Sequence, residues 1–198
     1  MIKFISKKIF VVGFTAALLT GLLYSVFNAQ WEFVFLYLSV IIGFQNYGKY
    51  NKEYEQKQRL NNISGLKIKE AEVGDRLKPG HGLLAPGDFH LEINAQGRVK
   101  LNKKDRQHGV RPCVDYMMKS IADNFDGDRL LGVILTGMGH DGAEGMSAIV
   151  NEGGYGIIES KETALVYGMP SAAAKAEAYH EIKRIDEIGR RITEIVEG

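Results

Sequence analysis

The chain has 198 residues and a net charge of +1, with 25 Lys+Arg against 24 Asp+Glu. It is long enough to bury the core of one domain, alone or with an appendage, and it lacks the basic excess that nucleic-acid binding needs. Its single cysteine, Cys113, excludes an intramolecular disulfide and any cysteine-based metal cluster and points to a reducing compartment.

Ile9 to Phe27 is a run of 19 residues without a charge, preceded by Lys3, Lys7 and Lys8, and Phe33 to Phe44 is a second run of 12. The first is long enough to span a bilayer; the second is short for the roughly 20 residues a spanning helix needs. One reading is a membrane hairpin, with residues 9–44 in contact with the cytoplasmic face of the inner membrane. The other, which we favour, makes residues 1–58 the first βαβα of a parallel sheet. Ile9 to Gly13 is then a strand, Ala16 to Phe27 a helix, Phe33 to Ile42 a buried strand and Lys49 to Asn61 a charged helix. Without those strands a later buried strand, Leu130 to Leu135, would lack neighbours. No signal-peptide cleavage site is apparent.

Leu66 to Ala71 alternates as a strand, and Gly80 to Ala85 is a short strand closed by Pro86-Gly87. His90 to Asn94 and Arg98 to Asn102 flank Ala95-Gln-Gly97 as a hairpin, with Leu91 and Ile93 on one face. Pro112 precedes a helix over Cys113 to Asn124, where Val114, Met117, Met118 and Ile121 recur at helical spacing. Cys113 reads as a small buried residue rather than a nucleophile. His81, His90 and His108 fall on separate elements without metal-ligand spacing, so no metal site is expected.

Leu130 to Leu135 is an apolar, branched run of the kind a strand buried on both faces shows. It leads into Thr136-Gly-Met-Gly-His-Asp-Gly142, a turn ahead of a helix over Ala143 to Val150, with Asp141 where a cap for that helix is wanted. Tyr155 to Ile158 is the next strand, Tyr167-Gly-Met-Pro170 a turn, Ser171 to Ala178 a small helix and Asp186 to Val196 an amphipathic packing helix lined by Ile185, Ile188, Ile192 and Ile195. The spacing Gly137-x-Gly139-x-x-Gly142 after a strand, with Glu159 about 20 residues on, also fits a dinucleotide fingerprint. An aspartate inside that turn would face a pyrophosphate with like charge.

The string from Gly132 to Ala143 resembles the signature of the CheB-type protein-glutamate methylesterases of bacterial chemotaxis. Lys69-Glu-Ala-Glu72, Pro79-Gly-His81, Ala85-Pro-Gly-Asp88 with His90, Arg111-Pro112 with Val114-Asp115, and Val166-Tyr-Gly-Met-Pro170 resemble the same family in the same order. The likeness covers residues 59–198 as one methylesterase-like domain. It implies a three-layer, doubly wound α/β fold with a mainly parallel sheet and a β-hairpin, working in the cytoplasm without metal or organic cofactor. The implied reaction is hydrolysis of glutamate methyl esters on methyl-accepting chemotaxis receptors, with glutamine deamidation as a related activity and methylated receptor helices as partner. Asp141 matches the family's catalytic acid; Met138, through its N–H, with Gly139, Gly168 and Met169, matches the oxyanion and substrate loop.

The same likeness puts a Gly-x-Ser-Thr-Gly-Gly turn, bearing the nucleophile, after the first strand and a Gln-His-Met-Pro turn, bearing the base, after the second. This chain has Gly13-Phe-Thr15-Ala-Ala-Leu18 and Gln45-Asn46-Tyr-Gly48 there. Thr15 stands at the serine position and Asn46 at the histidine position, and asparagine cannot accept and return a proton at neutral pH. The alternative function is therefore a non-catalytic receptor-binding or membrane-tethered interaction module. A pair of compensating frame changes in the coding sequence is a third origin for the break in similarity. The 58 unmatched residues are too few for the receiver domain that usually precedes this domain in the family.

Overall fold

Burial along one strand sets the architecture. In the computed structural model, which describes residues 9–14, 39–44, 60–62 and 64–197, Leu130 to Leu135 is buried throughout, and its side chains alternate between two cores. Leu130 and Ile134 join one, Leu131, Val133 and Leu135 the other. A strand covered on both faces is the mark of a sheet between two helical layers.

In chain order the strands are β1 (Ile9–Phe14), β2 (Ser39–Phe44), β3 (Lys67–Glu70), β4 (His81–Leu84), β5 (His90–Ile93), β6 (Val99–Asn102), β7 (Leu130–Ile134), β8 (Tyr155–Glu159) and β9 (Glu181–Lys183). The described α-helices are α1 (Val114–Ala122), α2 (Ala143–Asn151), α3 (Gly168–Lys175) and α4 (Ile185–Glu197). Seven strands form one sheet in the order β3-β4-β2-β1-β7-β8-β9, with every neighbour parallel. Strands β5 and β6 pair antiparallel as a separate hairpin, Leu91 opposite Leu101. This is the expected three-layer, doubly wound α/β fold with its hairpin.

One face of the sheet carries Val114, Met117, Met118 and Ile121 of α1, Met146 and Ile149 of α2, Met169 and Ala173 of α3, and the hairpin's Leu91, Ile93 and Val99. The other carries Ile188, Ile192 and Val196 of α4, at helical spacing. Helix α2 lies close over the strands because two of them present glycine. A Cβ on Gly132 would stand 2.6 Å from Met146 Sδ, and one on Gly156 3.1 Å from the same atom.

From β1 the chain goes to β2 on one side, and β7 pairs with β1 on the other. The strand order therefore reverses between β1 and β7, where open α/β sheets keep their ligand crevice, at the carboxyl ends of the strands.

Four elements differ from expectation, the first being β2, which ends at Phe44 rather than at Ile42. Helix α3 starts at Gly168, three residues before Ser171, so the expected turn is its first turn, where proline's missing N–H would be unpaired anyway. Strand β9 was not anticipated; at three residues it pairs with β8 at the sheet edge. Helix α1 begins one residue after Cys113 and ends two before Asn124. Of the first βαβα, β1 and β2 are described; Ala16 to Phe27, Phe33 to Leu38 and residues 49–59 lie outside the described residues. No helix among the described residues is long and apolar enough to cross a membrane.

Candidate active site

Strand β7 delivers the chain to the sheet's carboxyl edge, and glycine turns it over. Gly139 and Gly142 both have φ of +91°, a backbone that residues with a Cβ rarely adopt. The turn is pinned to the loop after β8: Gly137 N donates to Val166 O at 2.9 Å and Met169 N to Gly137 O at 2.8 Å. Val166 N donates to Thr136 Oγ1 at 2.8 Å. Glu159, fully buried at the end of β8, accepts from Thr136 N at 2.8 Å and from Thr163 Oγ1 at 3.0 Å.

That placement of Glu159 overturns the dinucleotide reading. A ribose-binding acid must face the crevice, whereas this carboxylate closes the loop from inside.

Asp141 is fully buried, and it does not cap the helix that follows it. The N-cap of α2 is Gly142, with no side-chain cap. Asp141 reaches across to α1 instead. Its Oδ2 accepts from Val114 N at 2.9 Å, and its Oδ1 from Asp115 N at 3.0 Å and from the Cys113 thiol at 3.0 Å. These N–H groups open α1, where a helix has unpaired donors and a positive dipole end, so a carboxylate is stabilised there. Burial, reinforced by the Asp141 charge, pushes the Cys113 thiol far above its ordinary value. Cys113 is thus a buried donor, as expected, and no nucleophile.

Asp115, also fully buried, links the two helices. Its Oδ1 accepts from Gly145 N of α2 at 2.6 Å, and its Oδ2 lies 2.8 Å from His108 Nε2. Burial raises the Asp115 carboxyl, with Asp141 adding to the effect, while the Gly145 amide and His108 oppose it. Helices α1 and α2 approach closely here, since a Cβ on Gly145 would meet Met118 Cβ at 2.5 Å. His108 stands edge-on to His140 at 4.2 Å between ring centroids. The sequence shows Asp115 only as part of the Val114-Asp115 motif, because its partners lie 7 and 30 residues away.

One ligand atom each from His108, Cys113, Asp115 and Asp141 all lie within 4.8 Å of one another, a proximity the spacing of histidines did not disclose. The donor types would suit a zinc-like ion. Here the carboxylates are engaged by four fixed donors, the Val114, Asp115 and Gly145 amides and the thiol. The group is organised as a hydrogen-bonded cluster.

Met138 projects from the turn, 60% exposed, and its N–H makes no hydrogen bond among the described residues. Gly168 packs against the turn; a Cβ there would come 2.7 Å from Gly137 O and 2.9 Å from Gly139 N. Met169 is buried, and its thioether fills the space a Cβ on Gly137 would take. It supports the turn from below. Thr15 and Asn46 lie outside the described residues. Strands β1 and β2, which precede them, run parallel with β7 and end at the same edge of the sheet.

Comparison with known proteins gives this geometry a family. The CheB methylesterase family model matches residues 47–192. A protein-glutamate methylesterase/protein-glutamine glutaminase of Bdellovibrio bacteriovorus is 42% identical over 134 residues, covering 66% of this chain and 38% of that protein. One from Symbiobacterium thermophilum is 41% identical over 139 residues, covering 70% and 38%. The chain thus spans little more than a third of the length of these curated relatives. The CheB methylesterase catalytic domain of Thermotoga maritima superposes with a TM-score of 0.83 at 33% identity, covering 96% of this chain and 99% of that domain. The family model covers most of the chain and the fold superposes on a solved member at 33% identity, and this chain belongs to the CheB methylesterase family.

Proposed function

We propose that this domain hydrolyses methyl esters on glutamate side chains of methyl-accepting chemoreceptors, releasing methanol, and acts on glutamine side chains by the same acyl transfer. The observation that carries the reading is the buried Asp141 beside a glycine turn at the switch point of the sheet. In this chemistry a hydroxyl attacks the ester carbonyl. A base takes the hydroxyl proton and returns it to the leaving methoxide, giving methanol and an acyl-enzyme; the same base then deprotonates a water that attacks the acyl-enzyme, the carboxylate leaves with the enzyme's hydroxyl restored, and a backbone amide holds the oxyanion at each stage. Asp141 orients the base and stabilises its charged form, and the Met138 N–H is the proposed oxyanion donor.

By resemblance Thr15 and Asn46 hold the nucleophile and base positions, and asparagine does not titrate. That favours a second reading, in which the domain binds receptor helices without hydrolysing them. A cytoplasmic site of action fits the lone reduced thiol, and residues 1–58 are proposed to supply the first half of the sheet.

The test is methanol release from receptors carrying labelled methyl groups, by the wild type and by Asp141→Asn. Release that collapses in the variant supports hydrolysis. Background release from both, with receptor binding intact, supports the second reading, and an absence of both release and binding refutes the two together.

A further inference from the structure

The carboxylate oxygens of Asp141 and Asp115 all have partners, but the imidazoles beside them leave nitrogens unused. His108 Nε2 lies 2.8 Å from Asp115 Oδ2. With that carboxylate as acceptor, Nε2 carries the proton and Nδ1 keeps its lone pair; Nδ1 makes no hydrogen bond among the described residues. His140 stands edge-on to His108 at 4.2 Å between ring centroids. It is exposed, and neither of its ring nitrogens is hydrogen-bonded among the described residues. Glu144 follows in the first turn of α2. We propose that His108, His140 and Glu144 bind one zinc-like divalent ion, which ties the loop before α1 to the glycine turn and acts as a reversible brake on the site.

Orientation is the first argument. A metal-ligating histidine gives its other ring N–H to a carboxylate, which fixes ring and tautomer. Asp115 does this for His108, and is itself held by Gly145 N at 2.6 Å. Distance is the second. Zinc–nitrogen bonds of about 2.0–2.1 Å at a tetrahedral angle put the centres of two imidazoles roughly 5 Å apart, so a small turn of the exposed His140 ring is enough. The third argument supplies the remaining ligand. Lys119 first, and then both imidazoles, hold the Glu144 carboxyl below its ordinary value, so all three groups share one neighbourhood. The Lys119–Glu144 pair is a surface pair, with Glu144 58% exposed, and such pairs are weak enough to yield to a metal. Two imidazoles and one carboxylate suit zinc better than magnesium or calcium, and three protein ligands leave a fourth position for water. The inner group differs, because its carboxylates and thiol are already engaged.

The braking follows from position. His140 lies between Met138 and Asp141 in sequence, so an ion held there immobilises the turn, and its charge disfavours a protonated base beside Asp141. The site itself does not rest on the methylesterase reading, since binding of the ion is measured directly.

The test titrates the full, untagged chain with Zn²⁺ by calorimetry, and with Co²⁺ to read the visible band of a four- or five-coordinate ion. Wild type should bind one ion per chain, with Mg²⁺ failing to compete. His108→Gln, His140→Gln and Glu144→Gln should each weaken binding roughly tenfold or more. His81→Gln, which opens β4 at the other edge of the sheet, should bind as wild type does. Circular dichroism confirms that each variant is folded, and zinc should raise the thermal midpoint of wild type more than that of His140→Gln. Absence of saturable one-to-one binding overturns the inference. So does binding that His140→Gln and Glu144→Gln leave unchanged, and so does binding that Cys113→Ala abolishes while His140→Gln does not, which would put the ion in the inner group.

Discussion

Replacing Asp141 with alanine should destabilise the fold as well as remove the proposed acid. The substitution strands three buried donors, Val114 N, Asp115 N and the Cys113 thiol. Each unsatisfied buried donor costs about 1–3 kcal/mol, and losing a helix cap costs about 0.5–2 kcal/mol. These terms describe the same contacts, so they overlap, and the expected loss is roughly 3–5 kcal/mol, a large share of the roughly 5–15 kcal/mol that holds a domain together. Asp141→Asn keeps one acceptor oxygen but turns an amide N–H toward another donor, and should cost roughly 2 kcal/mol. Cys113→Ala removes only a weak donor and should cost about 1 kcal/mol. Urea unfolding followed by circular dichroism gives the three values, with the denaturant slope checking that the unfolded state is unchanged. An Asp141→Ala loss below about 1 kcal/mol, or one equal to that of Cys113→Ala, refutes the capping argument.

Gly127→Ala should be among the most damaging small changes, because its Cβ would stand 1.7 Å from the backbone oxygen of Glu152. We expect a loss of about 3 kcal/mol or more, read as a fall in thermal midpoint. Gly168→Ala should push on Gly137 O and Gly139 N, and faster hydrogen exchange at the Gly137 and Met169 amides would report the loosened turn. Glu181 accepts from Arg191 Nε at 2.8 Å, Arg191 Nη2 at 2.6 Å and the Tyr155 hydroxyl at 2.5 Å. Arg191, more than any other group, holds the Glu181 carboxyl down at about 2 from an ordinary 4.5. Its stabilisation is therefore complete above pH 4.5 and lost as pH falls toward 2. Glu181→Gln should cost roughly 1–2 kcal/mol at pH 7, a partly solvated charge-assisted bond being weaker than a buried one, and should flatten the acid limb of the stability curve. Parallel acid limbs for variant and wild type would count against it.

Elements whose signal lies within one stretch of chain were legible in advance. Strand β7 shows its burial as a charge-free run of branched apolar residues interrupted only by Gly132, and α4 shows its buried face as Ile188 and Ile192 at helical spacing. Strand β9 was not legible, because three residues with charged ends and an exposed Ile182 carry no apolar pattern. The start of α3 was misread because Gly168 and Pro170 break helix interiors but are tolerated in a first turn. Asp141 reads in sequence as a cap for the helix that follows it, but in the fold it holds the opening amides of α1. It follows its own turn in sequence, but the amides it holds lie 26 and 27 residues upstream, and only tertiary structure brings them together. The dinucleotide fingerprint failed on direction: spacing sees a glutamate at 159 and cannot see that it points inward.

The capping of α1 by Asp141 bears on how such a domain changes over generations. A nucleophile or base can be exchanged for a residue of similar size with activity as the main casualty, whereas the acid cannot be exchanged without leaving helix-opening amides bare in the interior. A lineage drifting from hydrolase to adaptor would therefore shed its serine and histidine early and keep its aspartate. In such a lineage Asp141 is a record of ancestry and of folding, and the residues opposite it decide whether any chemistry survives.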